Sequence, residues 1–170
     1  ESGARMIVEH LIGSGHQDIA FLAGPAASYS GKARLGGYRS VLQAAGRVYQ
    51  PDLVLHCAPT ADGGTEAAEA LLAQRPDITA LFCYNDLVAV GALRTCARRA
   101  LQVPDQIAIT GFDDITIAAL VNPSLTTCRV PRYDVGVQAN RLLQTQINGE
   151  LCNGCEIILP VELVVRASAP

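Results

Sequence analysis

Short apolar runs recur along this chain with helix-patterned segments between them, and that alternation narrows the possible folds more than any single residue does. Ile19 to Leu22, Leu53 to Leu55, Thr79 to Cys83 and Ile107 to Gly111 are each only a few residues long and bounded by turn-forming residues. Continuous runs of this kind suit strands buried on both faces, as in a parallel sheet. Ile7, Val8, Leu11 and Ile12 in residues 3–13, and Leu35, Tyr38, Leu42 and Ala45 in residues 33–45, show helical spacing. Gly13, Gly15 and Gly46 mark helix ends. Asp62 is expected to cap a third helix with Ala68, Leu71 and Leu72 inward, and Asn85 and Asp86 open a fourth that runs to about Arg99. Helix and strand alternating four times predict an α/β fold, a parallel sheet flanked by helices on both faces.

Past the fourth strand the pattern loosens. Residues 124–130 are β-prone and end at Pro131; a helix is expected from an Asp134 cap to Asn148. Residues 157–165 are strand-like but interrupted by Pro160, which suits an edge or crossing segment. The chain has 170 residues, 49% hydrophobic and 17% charged, enough for one domain with a sizeable core. A net charge of −3 argues against generic nucleic-acid binding by this chain. No apolar run reaches the length of a membrane span, and ESGARMIVEH lacks the basic start of a signal peptide. A first residue other than Met, so close to a helix, fits a piece of a longer chain. Cysteines stand at 57, 83, 96, 128, 152 and 155. The first four lie in apolar contexts, where Cys acts as a small buried hydrophobe. Cys152-Asn153-Gly154-Cys155 reads first as a turn with two free thiols, with a metal or redox pair as the other reading. A reducing cytoplasm fits best.

In an open parallel sheet the right-handed crossover rule puts the carboxyl ends of all strands on one side, and ligands bind just beyond them. Arg34 follows the first strand, Phe82 and Asn85 the third, and Asp113 the fourth. Arg offers a planar fork for vicinal oxygens or carboxylates, Asn a donor and an acceptor, Asp an acceptor and Phe an apolar face. Such a set suits a small polar ring: a sugar, sugar acid or nucleobase. It suits catalysis poorly, because no Ser or Cys has a paired His at this edge. As an exposed cleft residue, Arg34 is expected to add little to the core. Asp113-Asp114 as a magnesium site lacks a third carboxylate or a phosphate-cradling loop, and a capping and solvated pair is the plainer alternative. Gly13-Ser14-Gly15 precedes its strand, whereas a dinucleotide loop follows one. No metal, cofactor or enzymatic activity is expected.

The fourth helix is apolar on nearly every side, with Leu87, Val88, Ala89, Val90, Ala92, Leu93, Cys96 and Ala97. One face should meet the sheet and the other a partner subunit. Arg94, Arg98 and Arg99 in its last turns are read as complementing the helix dipole.

Taken together, HLIGSGHQDIAFLAGP (10–25), RLGGYRSVLQAAG (34–46), PDITALFCYNDLVAVGAL (76–93), VPDQIAITGFDDI (103–115), NPSLTTCRVPRYDVGVQA (122–139) and LPVELVVRAS (159–168) resemble the effector-binding domain of the lactose-repressor/galactose-repressor family of bacterial transcription regulators. The resemblance implies a periplasmic-binding-protein-like fold of type I, with two lobes and a ligand between them. Residues 1–128 would form the C-terminal lobe. Residues 129–150 would be a crossover strand and helix belonging to the N-terminal lobe, and 151–170 strands returning to the C-terminal lobe. The DNA-binding headpiece and most of the N-terminal lobe would lie outside this chain.

By motif, Arg34 in RLGGY and Asp113 in GFDD match the family's ligand-gripping pair, Asn85 in YND its polar contact, and Phe82 an aromatic stacking position. Leu87, Val90, Leu93, Arg94 and Ala97 match part of its dimer interface. The resemblance also implies a small-molecule effector, a homodimer and operator DNA read through the absent headpiece, in a cytoplasmic repressor with no membrane partner. Arg129 and Arg132, where the family often has Gln before the Pro, are expected to be solvated, with contact to an anionic ligand the other possibility. A sugar-binding transport component of the same fold, and after it a metal-dependent α/β enzyme, are the competing readings.

Overall fold

The computed structural model describes residues 1–149 and 154–170. In chain order the elements are α1 (Ser2–Gly13), β1 (Ile19–Ala23), α2 (Tyr29–Ala44), β2 (Val54–His56), α3 (Ala61–Gln74), β3 (Ala80–Cys83), α4 (Asp86–Arg98), β4 (Ala108–Asp113), α5 (Ile117–Leu120), β5 (Thr126–Arg129), α6 (Arg132–Ile147) and β6 (Glu162–Val164). They build one six-stranded sheet in the order β2-β1-β3-β4-β5-β6. The first five strands are parallel, and β6 runs antiparallel to β5 at the edge.

Alternation along the strands sorts the core into two layers. Ala20, Leu22, Leu81, Cys83, Ile107 and Ile109 pack with residues of α3 and α4. Ile19, Phe21, Ala23, Ala80, Phe82 and Ala108 pack with residues of α1 and α2. A side chain the size of Leu or Phe contributes about 1.5–3 kcal/mol when fully buried. Strands apolar on both faces therefore drive both layers at once.

Helix starts differ from the sequence reading where a better acceptor sits nearby. Thr60, not Asp62, caps α3: its hydroxyl accepts from the Gly63 N–H at 3.1 Å. Ser28 caps α2 in the same way, which starts that helix four residues earlier than its apolar spacing indicates. Pro131 precedes α6, so Asp134 lies inside the first turn. A 3-10 turn at Pro51–Leu53 moves β2 one residue on. The cap of α4 is Asn85, whose Oδ1 accepts from the Val88 N–H at 2.9 Å.

The second apolar face of α4 has a nearer occupant than a partner subunit. Much of it packs on α3 of the same chain. The two helices cross at Gly64 and Gly91, where a methyl on either would overlap the backbone of the other helix. What remains open is a stripe of Leu87 (40% exposed), Val90, Arg94 and Ala97, with Leu93 at its buried margin. The three arginines of α4 and its end bind carboxylates of α3: Arg94 to Asp62 at 2.9 Å, and Arg98 and Arg99 to Glu69 at 2.8 Å each. Exposed pairs of this kind contribute at most about 1 kcal/mol each.

Helix α6 has no buried residue, and Tyr133, Val135, Leu143 and Ile147 are exposed. The segment after β6 is knitted into the sheet. Ile109 N–H donates to the Ser168 carbonyl at 3.0 Å. The Ser168 hydroxyl donates to the Ile109 carbonyl at 2.6 Å and accepts from the Thr126 N–H at 2.9 Å. His10 Nε2 lies 3.0 Å from the Ala169 carbonyl, fastening α1 to the same segment. Cys57, Cys83, Cys96 and Cys128 are free thiols. Cys155 is disulfide-bonded rather than the free thiol the sequence suggests, and Cys152 lies outside the described residues.

The glycines give a paired test. Gly91→Ala should lower unfolding stability by about 1–3 kcal/mol, because overlap with α3 outweighs the gain in helix propensity. Gly36→Ala, on an open face of α2, should raise it by about 0.5–1 kcal/mol. Urea denaturation of both variants reads the two signs.

Candidate functional site

Arg34 sits in the body of α2 and is 9% exposed. Its guanidinium carbon lies 3.9 Å from the centroid of the Phe112 ring and 4.5 Å from that of Tyr84. Its terminal nitrogen donates to Asp113 Oδ1 at 3.3 Å. The sequence thus places Arg34 and Asp113 correctly at one spot, but Arg34 is not the exposed cleft residue it suggests. Two rings and a carboxylate enclose it. A cation held against aromatic faces gains about 2 kcal/mol or more when water is excluded.

Phe82 stands elsewhere than the sequence reading puts it. It is 0% exposed and stacked on Phe21 at 4.4 Å between centroids. It forms the floor under α1 and α2, and the aromatic faces beside Arg34 belong to Tyr84 and Phe112. The Tyr84 hydroxyl is 2.8 Å from Ser30 Oγ and 3.2 Å from Ser28 Oγ, and the two serine hydroxyls are 3.0 Å apart. Partial burial raises the Tyr84 phenol, but hydrogen bonds from Ser28 and Ser30 and the charge of Arg34 outweigh it and leave it below its ordinary value. Asn85 caps α4 with its oxygen and donates to the Pro59 carbonyl at 3.3 Å. It lies at the same sheet edge, engaged with its own neighbours.

The last residue of β4 and the one after it have left-handed backbone, Asp113 at φ 107° and Asp114 at φ 52°. Such conformations cost on the order of 1–3 kcal/mol each and persist where surroundings fix them. The two carboxylates diverge. Asp113 faces Arg34. Asp114 accepts from Arg129 Nε at 2.7 Å and from Arg166 at 2.8 Å. Arg132 donates to the Asp114 carbonyl at 3.3 Å. Arg129 is exposed, as the sequence suggests, and from the surface it also pairs with Asp114 and Glu162. Among the described residues no group of three or more His, Cys, Asp or Glu is placed to hold a metal.

Burial raises the Asp113 carboxyl above its ordinary value, with Arg34 and Arg132 only partly offsetting it. Burial also pushes up on Asp114, but the hydrogen bonds and charges of Arg129 and Arg166 win and hold it below the ordinary carboxylate range. Ser28, Ser30 and Arg166 were not legible as site residues. Ser28 before α2 and Ser30 in its first turn stand where serine serves a helix start, and Arg166 reaches Asp114 across 52 residues of sequence.

The model of the periplasmic binding protein-like domain family matches residues 8–169. The HTH-type transcriptional regulator CelR of Thermobifida fusca is 37% identical over 166 residues, which cover 98% of this chain and 49% of that protein. The HTH-type transcriptional repressor CytR of Escherichia coli is 34% identical over 161 residues, covering 95% and 47%. The chain thus spans about half the length of the curated relatives it matches. A solved structure titled transcriptional regulator CelR–cellobiose complex superposes with a TM-score of 0.95 at 37% identity, over 98% of this chain and 51% of that one.

Removing the enclosed cation should be felt by the fold. Arg34→Ala should cost about 2 kcal/mol of stability in chemical denaturation, from lost ring contacts and a stranded Asp113. The Asp114 pairs carry a pH signature. Because its folded pKa is depressed, their contribution is present above the unfolded Asp value of about 4 and is lost as pH falls through the folded value. Asp114→Asn should be less stable than wild type near neutral pH by about 1–3 kcal/mol, and the gap should close on acidification, as followed by denaturation across pH.

Proposed function

Since this chain belongs to the periplasmic binding protein-like domains, as an effector-binding domain of the lactose-repressor/galactose-repressor family, we propose that it senses a neutral sugar and thereby controls the operator binding of a cytoplasmic transcriptional repressor. The observation that carries the choice of ligand is the Arg34–Asp113 pair between two aromatic faces. The pair is itself charge-balanced, so Arg34 is not an unpaired cation awaiting an anionic group. A pair of sugar hydroxyls can accept from the guanidinium and donate to the carboxylate at once. The faces of Tyr84 and Phe112 suit the apolar side of a pyranose ring. The CelR structure in complex with cellobiose supports the same chemistry. Sugar acids and nucleobases rank below it.

Residues 1–128 and 151–170 are one jaw of the cleft in this reading, and residues 129–150 belong to a second lobe. The exposed apolar side chains of α6 are what such a lobe would cover. The stripe Leu87, Val90, Leu93, Arg94 and Ala97 would meet a second copy, and a headpiece outside this chain would read DNA. Control is then a shift of population: sugar closed between the lobes favours one arrangement of the dimer, and that arrangement fits the operator differently.

Thermal unfolding of the full-length parent protein, with both lobes, against neutral sugars, sugar acids, sugar phosphates and nucleobases tests this. A sugar at a hundredfold its Kd should add about 2.7 kcal/mol, roughly 5–10 °C in midpoint, in wild type but not in Asp113→Asn. A response confined to sugar acids or phosphates would refute the neutral-sugar assignment.

A further inference from the structure

Asp86 is the first residue of α4 and is 0% exposed. Its Oδ2 accepts from the Ile115 N–H at 2.7 Å, and its Oδ1 accepts from the Thr127 hydroxyl at 2.6 Å. One carboxylate thus joins three elements: α4, β5 and the turn that follows Asp113 and Asp114. It reaches them over Gly111, where a methyl would overlap Oδ1 itself. No cation pairs with it among the described residues. Burial, against the hydrogen bonds from Thr127 and Ile115, pushes its carboxyl up to about 6.

A helix-dipole role explains little of this. An acidic residue in a first turn serves the dipole from the surface and keeps its hydration. Burying a carboxylate without a counter-ion is costly, and it is matched here by two short hydrogen bonds and a glycine that clears the way. The acceptor-only carboxylate is suited to holding two donors from different segments at once. Among the described residues nothing else accepts from the Ile115 amide: Arg34 and Arg166 grip the side chains of the turn, Arg132 grips its Asp114 carbonyl, and Asp86 grips its Ile115 N–H.

We propose that Asp86 is a positioning residue for the ligand grip: it sets the backbone of the 113–115 turn so that Asp113 meets Arg34, and it links that turn to the start of α4. This rests on the reading of Arg34 and Asp113 as the grip. Through this link, movement of the turn on ligand binding is carried directly to the N-terminal end of the helix with the open Leu87–Ala97 stripe.

Amide hydrogen exchange in the full-length parent protein, at about neutral pH, reads the tether without needing a ligand. Asp86→Ala should speed exchange at Ile115 by about tenfold or more, while Leu22 and Leu81 in the central strands keep wild-type protection. Asp86→Asn should rescue it. Its amide oxygen accepts from Ile115 and its nitrogen donates to the Thr127 hydroxyl, so Ile115 stays within about threefold of wild type. With cellobiose as probe, affinity should fall about tenfold or more in Asp86→Ala and about threefold or less in Asp86→Asn. Unchanged Ile115 exchange in Asp86→Ala overturns the proposal. So does uniform loss of protection across the sheet, which would make Asp86 a fold residue only, and so does failure of Asp86→Asn to rescue. Should wild type ignore cellobiose, the sugar reading loses its first probe, while Ile115 exchange still decides the tether.

Discussion

Pairing of charge at the end of β4 is the interaction from which the site hangs. Asp113 and Asp114 both take left-handed backbone, a conformation that side chains with a Cβ resist. They hold it because each is met by a cation from another part of the fold, Asp113 by α2 and Asp114 by β5 and the segment after β6. Charge-assisted hydrogen bonds of this kind are about twice as strong as neutral ones, enough to offset strain of on the order of 1–3 kcal/mol per residue. The strain in turn aims the two carboxylates apart, so that one serves the edge of the sheet and the other fastens the return segment.

The site needs a rigid floor, and the sheet supplies it. Phe21 and Phe82 stack nearly parallel beneath α1 and α2, and α2 carries Arg34 across them. On the opposite face, the glycine crossing of α3 and α4 brings backbone to backbone. Close packing there fixes the N-terminal end of α4, and with it Asn85 and Asp86, against the ends of β3 and β4. Geometry at the rim is therefore set by packing in both layers and not by the loops alone.

Strands and helices were legible because burial on both faces leaves a plain signature: short apolar runs with turn residues between them. Arg34 and Asp113 were legible as edge residues from the position of their motifs after β1 and in β4. What escaped the reading is what depends on where an element stops. Phe82 and Tyr84 stand two residues apart, with the same alternation, yet β3 ends at Cys83, so Phe82 is core and Tyr84 is rim. Whether Thr60 or Asp62 caps α3 turns on a single hydrogen bond. The apolar positions of α4 could not reveal which of them α3 covers and which stay open, because spacing alone does not identify the cover. Arg166 was invisible as a partner of Asp114, since nothing local marks a contact made across so many residues. The exposed apolar face of α6 is what the resemblance implies by assigning that helix to the N-terminal lobe; its apolar spacing alone does not show it.

The stitching of Ser168 into the middle of the sheet has a consequence in time. Ile109 and Thr126 both need Ser168 to complete their backbone hydrogen bonding, so β4 and β5 stay unfinished while a ribosome is still adding the residues up to Ser168. The 113–115 turn grows from the end of β4. A nascent chain can assemble α1 to β3 early, but the sheet edge at Asp113 and Asp114 cannot be completed until Ser168 is in place, so the topology makes that edge a late part of the fold.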